Sequence, residues 1–175
     1  MTGFALYPTE CHWWSMADYG AVVDAVHGLQ AKRVLEFGPG SSTLALIEGG
    51  ATHIDSCEDD PDWSNTHRMR IGLTYPNQVT IHDYTWSDPL HIASVGGRRY
   101  DLALIDGPKE LAKRRSVIVY ALERSTRVLV PCEDSEGPMM RDIVESIATA
   151  SGRYVGYRST GPLAGTFALI GPSCL

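Results

Sequence analysis

The stretch "VLEFGPGSSTLALIEGG", residues 34–50, sets an apolar run, an acid, two closely spaced glycines and a helical pattern in immediate succession. Residues 32–38 read as a buried strand, since the apolar positions do not keep to alternate sites. Ser41-Ser42-Thr43 opens a helix through about Glu48, and Gly49-Gly50 ends it, as glycine commonly does at C-caps. A strand that turns into a helix through Gly-x-Gly has two readings. One is a tight structural turn capped by Ser41 or Ser42. The other is a ligand cradle, in which glycines admit a close backbone approach and the helix N-terminus offers free N–H groups with about half a positive charge.

The same alternation continues outward. Helical spacing of Ala21, Val22, Ala25, Val26 and Leu29 predicts a helix within 15–30, with Gly28 near its end. Further strands are predicted at 52–58, 78–84, 100–106 and 126–132, with helices from Pro61 and over 110–123 and 137–151 between or after them. Residues 153–159 and 165–171 form a closing hairpin. Strands separated by helices imply a parallel sheet with helices on both faces, and the hairpin requires one antiparallel strand. Ligands of such sheets bind at the carboxyl ends of the strands.

Bulk properties exclude several classes. With 175 residues, 43% of them hydrophobic, the chain suits a single domain over 1–175. A net charge of −6 opposes phosphate-led nucleic-acid binding. The short basic runs Arg98-Arg99 and Lys113-Arg114-Arg115 read as solvated faces. Cys11, Cys57, Cys132 and Cys174 form no CxxC and no zinc spacing, which fits a reduced, cytoplasmic setting. No signal peptide or apolar span of about 18 residues is visible, so neither export nor a membrane partner is expected.

Polar residues mark three strand ends. The first carries Glu36 with Gly38 and Gly40, and Thr43 stands where a dinucleotide loop would have its third glycine. An acid there suits the cationic end of an amine-bearing ligand. At the second, Glu58 with Asp59 and Asp60 offers acceptors for a ribose diol, or merely helix caps. At the third, Asp83 can accept from an adenine amino group while Tyr84 covers the ring face.

The series Glu36-x-Gly38-x-Gly40-Ser41-Ser42-Thr43, then Glu58, then Asp83, resembles the class I S-adenosylmethionine-dependent methyltransferases over residues 32–171. The resemblance implies a Rossmann-like, seven-stranded, mostly parallel sheet of order 3-2-1-4-5-7-6, and S-adenosylmethionine as methyl donor. It assigns Glu36, Gly38, Gly40, Ser42, Glu58, Asp59, Asp83, Tyr84 and Asp106 to the cofactor, with Ser42 where many members have another glycine. It also implies that residues 1–30 cover the cofactor cleft.

A narrower resemblance, "IDGPKE" at 105–110, is to the metal-dependent catechol-type O-methyltransferases. It implies Asp106 and Lys109 as catalytic residues, and Mg²⁺ held by Asp106, Glu133 and Asp134. The ion would lower the pKa of an acceptor hydroxyl, and Lys109 would take its proton. The sequence departs from that pattern in reading Glu133-Asp134-Ser135 where an Asp-Asn or Asp-Asp pair is usual.

Other candidates are weaker. His12 beside Trp13 and Trp14 is a rival base, His82 reads as structural, and His53, His67 and His91 read as exposed. Trp63 and Trp86 either wall the pocket or join the core. The expectation is therefore a methyltransferase for a small-molecule acceptor, by O-methylation, with a homodimer plausible for so small a chain. The alternatives are a cofactor-binding protein without catalysis and an NAD-dependent oxidoreductase.

Overall fold

A computed structural model of the chain describes residues 15–132, 137–159 and 166–172. In chain order its elements are α1 (Met16–Leu29), β1 (Arg33–Phe37), α2 (Ser41–Glu48), β2 (His53–Glu58), α3 (Pro61–His67), β3 (Val79–Asp83), β4 (Tyr100–Ile105), α4 (Leu111–Arg124), β5 (Ser125–Cys132), α5 (Gly137–Ala150), β6 (Tyr154–Ser159) and β7 (Thr166–Gly171). Every strand and helix expected from the sequence is present. One turn of π-helix, Arg68–Gly72, extends α3 beyond its pattern.

The seven strands lie in the order β3-β2-β1-β4-β5-β7-β6. The first five are parallel, while β7 runs antiparallel to both β5 and β6. This is the expected Rossmann-like topology. Register matters for the site: Glu36 stands level with Ser56 on β2, and Glu58 level with Asp83 on β3.

Local chemistry explains the element ends. Ser15 and Asp18 cap α1 reciprocally, satisfying orphan N–H groups of its first turn. The helix passes Gly28 and stops at Gln30 in the left-handed region (φ 53°). Asp60 accepts from the N–H groups of Asp62 and Trp63 to start α3 behind Pro61.

The sheet is covered on both sides. Leu35, Phe37, Ala103, Ile105, Val128 and Val130 pack beneath α4 and α5 on one face. Val34, Leu102, Leu104 and Leu129 pack with Val22, Val26 and Leu46 on the other. Each such buried aliphatic or aromatic side chain contributes about 1.5–3 kcal/mol.

Helix α1 sits against the far end of α2, with Tyr19 Oη donating to Glu48 Oε2 at 2.8 Å. Gly49 leaves room for this packing, because a Cβ there would fall 2.6 Å from Val26 Cβ. Of the segment expected to cover the cleft, residues 1–14 lie outside the described residues.

Among the described residues no helix covers β2 and β3 on the α4 side. The 84–99 segment does so, inserting Leu90, Ile92 and Val95. It is fastened by Asp55, whose Oδ1 meets Arg98 Nη1 at 2.7 Å and His82 Nε2 at 2.7 Å, while Tyr100 Oη donates to Oδ2 at 2.8 Å. Among the described residues no helix is long and apolar enough to cross a membrane.

Candidate active site at the strand ends

The turn after β1 is built where three strands finish. Gly38 N donates to Cys57 O at 3.0 Å, and Phe37 O accepts from Asp106 N and Gly107 N at 2.9 and 2.8 Å. Gly38 has φ +85°, and a Cβ on it would lie 2.8 Å from Gly107 N. This glycine therefore serves the contact between the ends of β1 and β4 as well as the bend. At Gly40 an added Cβ would meet nothing within 4 Å. That is open space at the entrance of α2, beside first-turn N–H groups with no intrahelical acceptor.

Glu36 lies under this turn and is fully buried. Oε1 accepts from Ser42 Oγ at 2.7 Å, and Oε2 accepts from Thr43 Oγ1 and Ser56 Oγ, each at 2.7 Å. Thr43 Oγ1 also accepts from Gly40 N at 3.0 Å, so the carboxylate holds the turn through the hydroxyl. Burial pushes the carboxyl up to about 7, against the pull of the three hydroxyls and with the Asp106 charge adding to the rise. The expectation that Glu36 meets a cationic ligand end is revised in this respect. Both of its oxygens face hydroxyls, and it acts on the cleft by fixing the turn.

At the end of β2, Glu58 Oε1 accepts from the N–H groups of Asp59 and Asp60, both at 2.9 Å. Oε2 has no hydrogen-bond partner among the described residues. Burial raises this carboxyl to about 7, outweighing the backbone donors. Asp59 Oδ2 instead meets Lys113 Nζ at 3.3 Å, and the same ammonium reaches Glu110 at 3.3 Å. One residue beyond β3, Tyr84 packs edge-on to Phe37 with ring centroids 5.9 Å apart. Asp83 is largely exposed and faces α3, taking hydrogen bonds from Ser64 Oγ and from Arg68 Nη2 at 3.0 Å. Those bonds, the Ser64 hydroxyl first, hold its carboxyl below the usual range.

The loop after β4 carries Asp106, half-buried, and Lys109, exposed. It is held from below by Arg114 of α4. Nε donates to Pro108 O at 2.6 Å and Nη2 to Asp106 O at 3.2 Å. Arg114 is 8% exposed, so the basic run 113–115 is not simply a solvated face. Its central guanidinium replaces water with two loop carbonyls. Among the described residues no three metal-ligating side chains cluster. Glu133 and Asp134 lie outside the described residues, as does His12.

Sequence reasoning missed Ser56 and Arg114 as builders of the site, and it read Thr43 only as part of the motif and Trp63 only as a pocket wall or core residue. Trp63 Nε1 donates to Pro39 O at 3.0 Å, tying the glycine turn to α3. His67, expected to be exposed, is fully buried and packs edge-on to Trp63 with ring centroids 4.6 Å apart. A signal existed only for Ser56, whose place in β2 matches that of Glu36 in β1.

No protein-family model matches the chain, and no curated protein matches it in sequence. Its fold, however, matches solved structures along nearly its full length. An O-methyltransferase from Bacillus cereus in complex with S-adenosylhomocysteine superposes with a TM-score of 0.73 at 18% identity, over 97% of this chain and 86% of that one. TomG, an O-methyltransferase of tomaymycin synthesis from Streptomyces achromogenes in complex with S-adenosylmethionine, gives 0.67 at 17%, over 91% and 81%. A Pyrococcus horikoshii protein proposed as an RNA methyltransferase gives 0.65 at 13%, over 89% and 83%. At such identities the likeness shows the fold alone, the Rossmann-like sheet of these methyltransferases, and a fold does not by itself fix an activity.

Proposed function

We propose that the protein is an S-adenosylmethionine-dependent methyltransferase that methylates a hydroxyl of a small-molecule acceptor. The observation that carries this reading is the pairing of an open Gly40 at the start of α2 with the partner-free Glu58 Oε2 at the end of β2. These residues fit an adenosyl ligand: the turn admits it closely, and the carboxylate can accept from its ribose diol. The structural neighbours crystallised with S-adenosylmethionine or S-adenosylhomocysteine support the same ligand.

When bound, the cofactor supplies a methyl group already activated by the sulfonium. The residues of this chain therefore bind and position rather than form bonds. Glu36, with Ser42 and Gly38, fixes the turn. Glu58 and Asp59 serve the ribose side, Tyr84 and Asp83 the adenine side. Asp106 faces the acceptor, and Lys109 takes the proton released as the hydroxyl oxygen is methylated. Bringing reactants to roughly 3–3.5 Å supplies a large share of the acceleration in such reactions. The residues that would hold Mg²⁺ in this reading are Asp106 with Glu133 and Asp134, the last two outside the described residues, and the ion would orient the acceptor hydroxyl. The acidic net charge favours a small acceptor over a nucleic acid. A cytoplasmic location and a homodimer that completes the pocket belong to the same proposal.

Isothermal titration with S-adenosylmethionine and S-adenosylhomocysteine tests the reading. Both should bind, and Glu58→Ala should weaken them about tenfold or more, the worth of a charge-assisted bond. Failure of either ligand to bind the native protein refutes the function. Native affinity in Glu58→Ala refutes the ribose assignment alone. Activity against catechol-type acceptors that survives a chelator would remove the Mg²⁺ component.

A further inference from the structure

A second cleft lies on the opposite side of the fold from α4 and α5, between α1 and the face formed by β5, β7 and β6. Its volume is about 460 Å³, within the range of roughly 300–1,000 Å³ typical of small-molecule sites. It shares no residue with the strand-end turns. Its floor is a set of cross-strand rows, Leu129–Leu169–Gly156 and Phe167–Arg158, which the antiparallel register sets on one face. A Cβ on Gly156 would meet nothing within 4 Å, so the missing side chain is part of the empty volume. Ala25 and Leu29 of α1 form the facing wall. At the rim Arg158 Nη2 pairs with Asp24 Oδ2 at 2.8 Å, bridging β6 to α1 and balancing both charges.

Arg127 of β5 is different. Its side chain lies over Gly171, where a Cβ would come within 3.3 Å of Arg127 Cγ and 3.5 Å of Nε. Nε is buried and has no hydrogen-bond partner. Among the described residues no carboxylate pairs with this guanidinium. A buried donor without an acceptor is costly, and a guanidinium is matched in shape and charge by a carboxylate or phosphate. The charge in this apolar cleft is thus uncompensated and positive.

We propose that the cleft binds a small amphipathic anion, with an apolar body against Leu129, Leu169 and Leu29 and one carboxylate or phosphate head on Arg127. The proposal does not depend on the methyl-transfer reading.

Calorimetric titration of the full chain with decanoate, decanol and decylammonium tests it. Decanoate should bind about tenfold or more tightly than the other two, the value of one charge-assisted contact. Arg127→Met should bring decanoate down to the level of decanol, and Arg127→Lys should recover part of the loss. Gly156→Val, which fills open space, should abolish decanoate binding while leaving the melting temperature and S-adenosylmethionine titration as in the native chain. Decyl phosphate in parallel separates the two head groups, and tight binding of either sustains the proposal. Equal binding of decanoate and decanol, or native decanoate affinity in Arg127→Met, overturns it. So does light scattering that finds a dimer dissociated by Gly156→Val, since the occupant is then a second copy.

Discussion

Glu36, buried, and Asp55, partly buried, are acids on neighbouring strands of the same sheet, and their surroundings drive them in opposite directions. Glu36 meets three hydroxyls and no cation. Burial prevails and its carboxyl rises to about 7. Asp55 meets a guanidinium, an imidazole and a phenol, and these hold its carboxyl down to about 2 despite burial. The first arrangement fixes a turn with dipoles and keeps the acid near neutrality. The second clamps the 84–99 segment with full charge. The turn is fixed by hydroxyls around a buried acid, and the segment that must stay in place is held by an ion pair.

Breaking the second arrangement should have the largest effect. Asp55→Ala leaves His82 buried and Arg98 and Tyr100 without their acceptor, and should cost about 3 kcal/mol in urea unfolding. A loss below about 1 kcal/mol would show that the cluster contributes little net stability, as exposed ion pairs do.

The turn above Glu36 should break next. Gly38→Ala combines a positive φ with a Cβ only 2.8 Å from Gly107 N, and should cost about 2 kcal/mol. It should also weaken S-adenosylmethionine binding. Gly40→Ala, where the Cβ meets nothing, should leave stability unchanged and weaken binding alone. Equal melting temperatures for both variants would refute the difference drawn between the two glycines.

The smallest effect is the pH profile. The carboxyls of Glu36 and Glu58 rise from an ordinary value near 4.5 to about 7 on folding. Their protons therefore stabilise the folded state fully below about 4.5, and that stability is lost as pH rises through 7. The contribution of these two carboxyls to urea stability should fall by on the order of 1 kcal/mol between pH 5 and 7.5, allowing for solvent screening of Glu58. Glu36→Gln should flatten part of this slope. Asp55 acts oppositely: its contribution is present above its ordinary value near 3.8 and lost as pH falls towards 2. His67, buried and held down to about 4, adds stability as pH rises from 4 to 6.5. The check is therefore the difference between the native and Glu36→Gln profiles, and a difference independent of pH from 5 to 7.5 would contradict the assignment.

The fold was legible because hydrophobic periodicity, Pro61, Asp60 and the glycine pair at 49–50 are local signals. The positions of Glu36, Glu58 and Asp83 at strand ends followed from the same pattern. Their partners did not. Ser56 reaches Glu36 only through the parallel register of β1 and β2, which no local window contains. Arg114 looked like one of three exposed basic residues, because helical phase alone does not reveal a loop folding back onto α4. The pairing of Asp83 with Arg68, the first residue of the π-helical turn, was likewise announced by no local pattern.

The contact of Gly38 with Gly107 also has a consequence for how the molecule can move. Two backbones touch there with no side chain between them to flex. The 106–108 loop is gripped from its other side by Arg114. A displacement of the Gly38 turn must therefore be transmitted to the loop bearing Asp106 and Lys109, as through a rigid lever. The two halves of the cleft form a single mechanical unit, and an occupant of one will be felt as geometry in the other.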